Sequence, residues 1–422
     1  RLSTKGSYDS RDIYAEISIP LLADVPGFQE LNIDYAYRAT SYSQFDSESV
    51  DRTAIKWKPI NDITIRATDS TSYKAPTISD LYFGGGGGFP TYVDPCEQNQ
   101  YGTYTDAQKA TALAQCAAEG IDATTFSTEN NQILELEVGN PNLTPEAGKN
   151  QTYGIVWEPT SIEFLENIDF KMAVDKFEME IANAVVGSGV AATLNGCYIN
   201  GNSAQCALIE RSYGGDITSV RTANLNSASI DLYKGTDFSF NMTFEDVAMI
   251  GGSIEVDLIG THFEENVTVT ASGISDDVVG DCYNFGESCF NRDRVNLAVR
   301  WRNEDWNVGL TTRYLSEIPV QDGVVDYFSA EGGAYGEGTY TQAQLEDIYD
   351  IYSIPDITYT YLNVGYRYSD SVQLTLAVSN LFDKQPPYYK DFFGFVDPQI
   401  QTPQNTYDIV GRYFQVGFKL TL

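Results

Sequence analysis

The stretch Tyr407–Leu422 reads YDIVGRYFQVGFKLTL. From Val410 onward the even positions carry Val410, Phe414, Val416, Phe418, Leu420 and Leu422, interrupted only by Arg412. The odd positions carry Gly411, Tyr413, Gln415, Gly417, Lys419 and Thr421. Successive side chains of a strand point to opposite faces, so one face here is apolar and the other is polar or small. Such a strand fits a barrel in a membrane, where every edge must be closed. It fits equally the last edge strand of a soluble sandwich. The rest of the chain has to separate the two.

Working outward, the same alternation recurs. Ile13, Ala15, Ile17 and Ile19 oppose Tyr14, Glu16 and Ser18, and Pro20 ends the run. Leu31, Ile33, Tyr35 and Tyr37 oppose Asn32, Asp34, Ala36 and Arg38. Further runs cover Thr53–Trp57, Ile63–Thr68, Gln151–Trp157, Ile168–Ile181, Thr222–Phe244, Ile254–Phe263, Arg294–Trp301, Trp306–Thr311, Tyr361–Tyr368 and Val372–Ser379. With the terminal stretch they predict about thirteen strands. Connections alternate strictly between short and long. The long ones include roughly Tyr73–Ala147, Ala182–Arg221 and Ser316–Ile354, with helix-like pieces at Thr105–Glu119 and Thr341–Asp350. Trp57, Trp157, Trp301, Trp306, Tyr366 and Tyr368 flank the short turns, as an interfacial girdle would. Segregation of loop length to one side points to a transmembrane barrel with short periplasmic turns and long extracellular loops.

Composition narrows the function. No run of 18 apolar residues exists, which excludes helical membrane spans. A net charge of −33 argues against a nucleic-acid partner. The cysteines fall in near-sequence pairs, Cys96 with Cys116, Cys197 with Cys206 and Cys282 with Cys289, all on the long-loop side. None has CxxC spacing and His262 is the single histidine, so local disulfides in an oxidising compartment are expected and a metal site is not. One histidine also removes most Ser-His-Asp and Cys-His layouts. Gly84–Gly88 lacks the Lys-Ser/Thr of a phosphate loop and reads as a flexible loop; Asp347, Asp350 and Asp356 lack EF-hand spacing. No catalytic residue and no cofactor is expected.

Several motifs resemble those of TonB-dependent outer-membrane receptors. Ile65–Leu81, with Tyr73-Lys74-Ala75-Pro76, resembles that family's "FRAPtlsEL" segment. Gly139-Asn140-Pro141-Asn142-Leu143-Thr144-Pro145-Glu146 is similar to its "GNPnLkPE" motif. Tyr14-Ala15-Glu16 with Ile19-Pro20-Leu21, Ala377–Asp383 with Tyr388-Tyr389, and Gly411-Arg412-Tyr413-Phe414 complete the series in the family's order. Leu422 departs from the terminal Phe usual there and keeps only the apolar character. The resemblance implies an all-β, antiparallel transmembrane barrel of about 22 strands around an N-terminal plug. This chain would then be the C-terminal portion, about thirteen strands, with the plug and its TonB box outside it.

The family resemblance further implies active uptake of a scarce, large solute across the outer membrane. Its partners would be TonB through the plug, outer-membrane lipid and lipopolysaccharide, and the barrel-assembly machinery at the last strand. Loop aromatics are the candidate ligand contacts: Tyr82, Phe83, Phe89 and Tyr92 in the first long loop, and Tyr388, Tyr389, Phe392, Phe393 and Phe395 in the last. Disulfide-pinned loops lean the expectation toward an oligosaccharide over a ferric siderophore. A soluble extracellular glycan-binding protein or glycosidase and a passive porin are the competing classes.

Overall fold

The computed structural model describes residues 3–97, 105–128, 132–160, 168–226, 230–247, 250–269, 275–283, 288–319, 353–388, 402 and 405–421. Its main feature is one antiparallel wall. The wall strands, in chain order, are β1 (Ser10–Val25), β2 (Phe28–Tyr42), β3 (Glu48–Ile60), β4 (Ile63–Lys74), β5 (Glu146–Trp157), β6 (Ile168–Ala182) and β7 (Asp231–Phe244). They continue as β8 (Ser253–Val269), β9 (Asp293–Arg302), β10 (Trp306–Leu315), β11 (Ile357–Ser369), β12 (Val372–Ser379) and β13 (Tyr413–Leu420). Each pairs with its sequence neighbour, and a short strand, Ser275–Asp277, pairs beside β8. The expected strand count holds. The strict alternation of loop lengths does not: β2 and β3 are joined on the long-loop side by only residues 43–47.

Register explains why the wall is amphipathic. Ile17 stands opposite Tyr35, Ile33 opposite Ile55, Ile155 opposite Val174, Val174 opposite Phe238, and Phe240 opposite Leu258. The series continues with Leu258 opposite Leu297, Leu310 opposite Leu362, and Val416 opposite Leu376. A slip of one residue on any strand would turn its whole apolar set to the other side. The apolar face is exposed, with Ile13 at 77% and Val416 at 79% relative accessibility. Water would not tolerate such a band; the acyl chains of a bilayer do. No described helix is long and apolar enough to cross a membrane.

The short-turn side carries the expected aromatic belt. The indole nitrogens of Trp57 and Trp301 donate to the carbonyls of Gly27 and Gly251 in adjoining turns, both at 2.9 Å. Trp306 stacks on Tyr366 with centroids 4.4 Å apart, and Trp157 meets Phe170 edge-on at 5.1 Å.

The opposite, polar face is tied by charge pairs. Arg66 grips Asp175 through two bonds of 2.6 and 2.7 Å, Lys56 meets Glu30 at 2.9 Å, and Arg300 meets Glu255 at 3.0 Å and also Asp257. Gly154 leaves the room that the first pair needs, since a Cβ there would come within 2.1 Å of an Asp175 oxygen.

The two longest described loops fold together into a second body. Helices α1 (Ile78–Tyr82), α2 (Asp106–Ala118), α3 (Gly189–Tyr198) and α4 (Ser203–Cys206) join a five-stranded sheet. Thr105 opens α2 with a capping box to Gln108. In the sheet, Leu134–Val138 runs parallel to Ile217–Asn226, and Gly86–Gly88 and Ile209–Arg211 lie on either side. Gly86–Gly88 is therefore paired strand, where a flexible loop was expected. The expected run Thr222–Phe244 is also two strands, one in this sheet and one, β7, in the wall.

This loop module has its own buried core, including Tyr92, Leu194, Tyr198, Ile217 and Val220. Disulfides Cys96–Cys116 and Cys197–Cys206 form as expected. Cys282 and Cys289 are register partners in a short hairpin, but the Cys282 side chain lies outside the described residues, as do the Thr341–Asp350 piece and Leu422.

Candidate functional site

On the polar face, toward the long-loop end, the strands build a recess of about 620 Å³. Arg52 comes from β3, Arg66 and Thr68 from β4, Thr152 from β5, Asp175 and Phe177 from β6, Tyr233 and Asp237 from β7, and Thr261 and Phe263 from β8. Its aromatic side is continuous. Phe177 stacks on Tyr233 at 5.4 Å, Tyr233 meets Phe263 at 5.4 Å, and Phe263 meets Phe290 at 4.7 Å. Gly235 admits the Phe177 ring, because a Cβ there would lie 2.7 Å from it. The Arg294 guanidinium of β9 then sits 4.3 Å from the Phe290 centroid and 5.5 Å from that of Phe263.

The electrostatics are uneven. Arg66 is matched by Asp175, and Asp237 accepts from Thr261 at 2.6 Å. Arg52 has no ion pair among the described residues. Farther along, the polar face of β9–β13 carries Arg294, Arg300, Arg302, Arg313, Arg367 and Lys419 and, among the described residues, no carboxylate. In a chain of net charge −33, cations are thus concentrated on the polar face of these strands. The arrangement can stack planar rings and hold negative charge. No group of three or more His, Cys, Asp or Glu side chains among the described residues is placed to hold a metal ion.

Residues 1–381 match the family model "TonB dependent receptor-like, beta-barrel". The chain belongs to that family. It is an outer-membrane β-barrel chain, as the register and exposed band require. Among solved structures it is similar to the ferric enterobactin receptor PfeA of Pseudomonas aeruginosa, with 14% identity, TM-score 0.57, and coverage of 100% of this chain and 46% of that one. The siderophore receptor PirA of Acinetobacter baumannii gives 15%, 0.54, 97% and 46%. The chain thus spans under half the length of these structures, and at such identity the likeness is one of fold. Comparison with curated proteins gives no match.

The family motifs prove to be joints. Asp80 accepts from Thr77 at the start of α1 and from the Asn224 amide, while its carbonyl accepts from Asn140 at 2.8 Å. The two motifs Tyr73–Leu81 and Gly139–Glu146 therefore meet at the root of the loop module. Likewise Asp383 accepts from the Arg412 backbone at 2.9 Å, coupling the Asn380–Asp383 turn to the last strand.

Of the loop aromatics expected to bind ligand, the structure describes Tyr82, Phe83, Phe89, Tyr92 and Tyr388. Tyr82 donates to Gln44 at 3.1 Å and packs on Gly6, and Phe83 lies against Gly86. Phe89 is exposed, Tyr388 is exposed, and Tyr92 is buried in the module core, where burial pushes its hydroxyl pKa up to about 12. Tyr389, Phe392, Phe393 and Phe395 lie outside the described residues. The recess residues Arg52, Phe177, Tyr233 and Phe263 were missed, although a signal existed. They are large or cationic side chains on the polar parity of their strands, where small polar residues would suffice to face water.

Proposed function

We propose that this chain forms the lumen wall of a transporter that takes up a ferric siderophore across the outer membrane, driven through TonB. One observation carries the reading: the Arg294 guanidinium held against stacked aromatic rings on the lumen face, with Arg52 lining the same recess. Anionic iron chelates with planar aryl arms present the complementary chemistry, ring faces and delocalised negative charge. The similar structures named as siderophore receptors, including a point mutant of the P. aeruginosa ferric enterobactin receptor in complex with enterobactin, support the same class. The oligosaccharide preference rested on the long loops. Two of the loop disulfides hold a packed module, and among its aromatics Tyr92 is buried in the module core. The reading assigns no covalent chemistry. TonB would act through a plug, and the barrel-assembly machinery would engage the last strand.

The test is uptake by the full-length receptor in iron-limited cells lacking other receptors, using a panel of radiolabelled ferric siderophores. Uptake of an anionic chelate is expected, with roughly a tenfold loss in the Arg52→Ala/Arg294→Ala double variant, about 1.4 kcal/mol of binding. Uptake confined to oligosaccharides would overturn the siderophore assignment. Steady ion conductance that needs no TonB would favour a passive porin instead.

A further inference from the structure

Cations on the lipid-facing side of the wall are not scattered. Lys149 on β5, Lys176 on β6 and Lys234 on β7 share the parity of the apolar band on neighbouring strands. Among the described residues, the only other Lys or Arg of the wall strands on that parity is Arg11. The change along β6 is abrupt, from Phe170, Met172 and Val174 to Lys176, Glu178 and Glu180. Register sets Lys234 opposite Glu178 and Lys149 opposite Glu180, and Lys176 precedes Glu178 on the same face of β6, so opposite charges are neighbours both across and along the strands. The spacings are about 4.8 Å between strands and about 6.8 Å along them.

Internal stability does not account for this patch. Lys176 meets Glu264 at 2.9 Å, but Lys234 is only within 3.7 Å of Glu178 and 3.6 Å of Glu265, and these side chains are partly exposed. Pairs of that kind contribute little. Lys149 is exposed with no ion pair among the described residues. Position is more informative. The patch begins where the apolar band ends, on the long-loop side, the level of outer-leaflet headgroups. That layer is itself a lattice of phosphates and divalent cations.

We propose that this patch binds the phosphate groups of lipopolysaccharide, the lysines directly and the intervening glutamates through bridging divalent cations. The lysines gain charge-assisted bonds to phosphate oxygens. The glutamates keep that bond conditional on the divalent ion, since without it they repel the same phosphates.

The experiment uses full-length receptor extracted in mild detergent, with bound lipid counted by native mass spectrometry. Wild type should retain lipopolysaccharide and lose most of it in EDTA. Lys149→Gln/Lys176→Gln/Lys234→Gln should lower retention at least tenfold, since about 1 kcal/mol per lysine is roughly fivefold each. Arg11→Gln should leave it unchanged. Heat-modifiable mobility reports folding; should the triple variant fail there, Lys149→Gln alone, expected to cost roughly fivefold, keeps the test open. Wild-type retention by the folded lysine variants would overturn the proposal. So would selective loss of phosphatidylglycerol with lipopolysaccharide unchanged.

Discussion

The wall and the loop module are stabilised in opposite solvents. In the wall the large apolar side chains point outward, and ion pairs such as Arg66–Asp175 tie the inner face. In the module Leu194, Tyr198 and Val220 are fully buried, and disulfides and a buried ion pair hold the centre. That pair is Arg211 with Asp94, joined by two bonds of 2.6 and 2.8 Å. Arg211 also reaches Glu119 at 2.9 Å and lies 5.2 Å from the Tyr198 ring. Burial alone would lower the arginine pKa; the Asp94 carboxylate outweighs it, and the net shift is upward. Two bodies that depend on different media should fail separately.

Arg211→Ala is the strongest way to test that separation. It strands the fully buried Asp94 charge at a cost of about 3–5 kcal/mol. Hydrogen exchange across α2 and α3 should rise while heat-modifiable mobility stays; loss of both would show the bodies to be one. Phe240→Arg attacks the other partner, placing a charge in the apolar band for about 2–4 kcal/mol. Mobility should then suffer, and the module should keep its resistance to protease. Removing one staple, as in Cys197→Ser, should cost the module roughly 2 kcal/mol and leave the wall intact. Thiol labelling of the denatured wild type should find free cysteines only after reductant, including Cys282 and Cys289.

Alkali gives a graded version of the same comparison. Tyr92 titrates near 12 in the folded module and near its ordinary value of about 10 when unfolded. Its contribution is complete below pH ~10 and is lost as pH rises toward ~12, because only the unfolded chain ionises early. Buried Tyr198 shifts in the same direction. The module should therefore open at lower pH than the wall, seen as tyrosinate absorbance preceding loss of mobility. Smallest of all, Trp57→Phe removes one donor to the Gly27 carbonyl, for about 1 kcal/mol in thermal stability of the wall alone.

The wall was legible because a period of two, repeated along every strand, is a local signal. Phe414, Val416 and Phe418 declare their face without reference to anything distant. The module was not, because its determinants are far apart or locally weak. Leu134–Val138 pairs with a strand more than 80 positions away, which no window can register. Helix α3 reads GVAATLNGCY, with two glycines and β-branched residues that depress helical propensity, so it forms on tertiary packing. The candidate recess lies on wall strands and not on the long loops. Tyr233 lies near the start of β7 and Phe263 within β8; each is a large ring on the polar parity, and only the cross-strand pairing that brings such rings together turns that local signal into a recess.

The parallel pairing of Leu134–Val138 with Ile217–Asn226 has a consequence in time. Ser219 meets Leu134, and Arg211 meets Asp94 across 117 positions, with β5 and β6 lying between the two loops. Neither segment can find its partner until both loops have been delivered to the same side of the bilayer. Module closure is therefore the late event of maturation, after those strands have inserted. Pulse proteolysis during assembly should catch molecules whose wall is already heat-resistant while the loops are still cleavable.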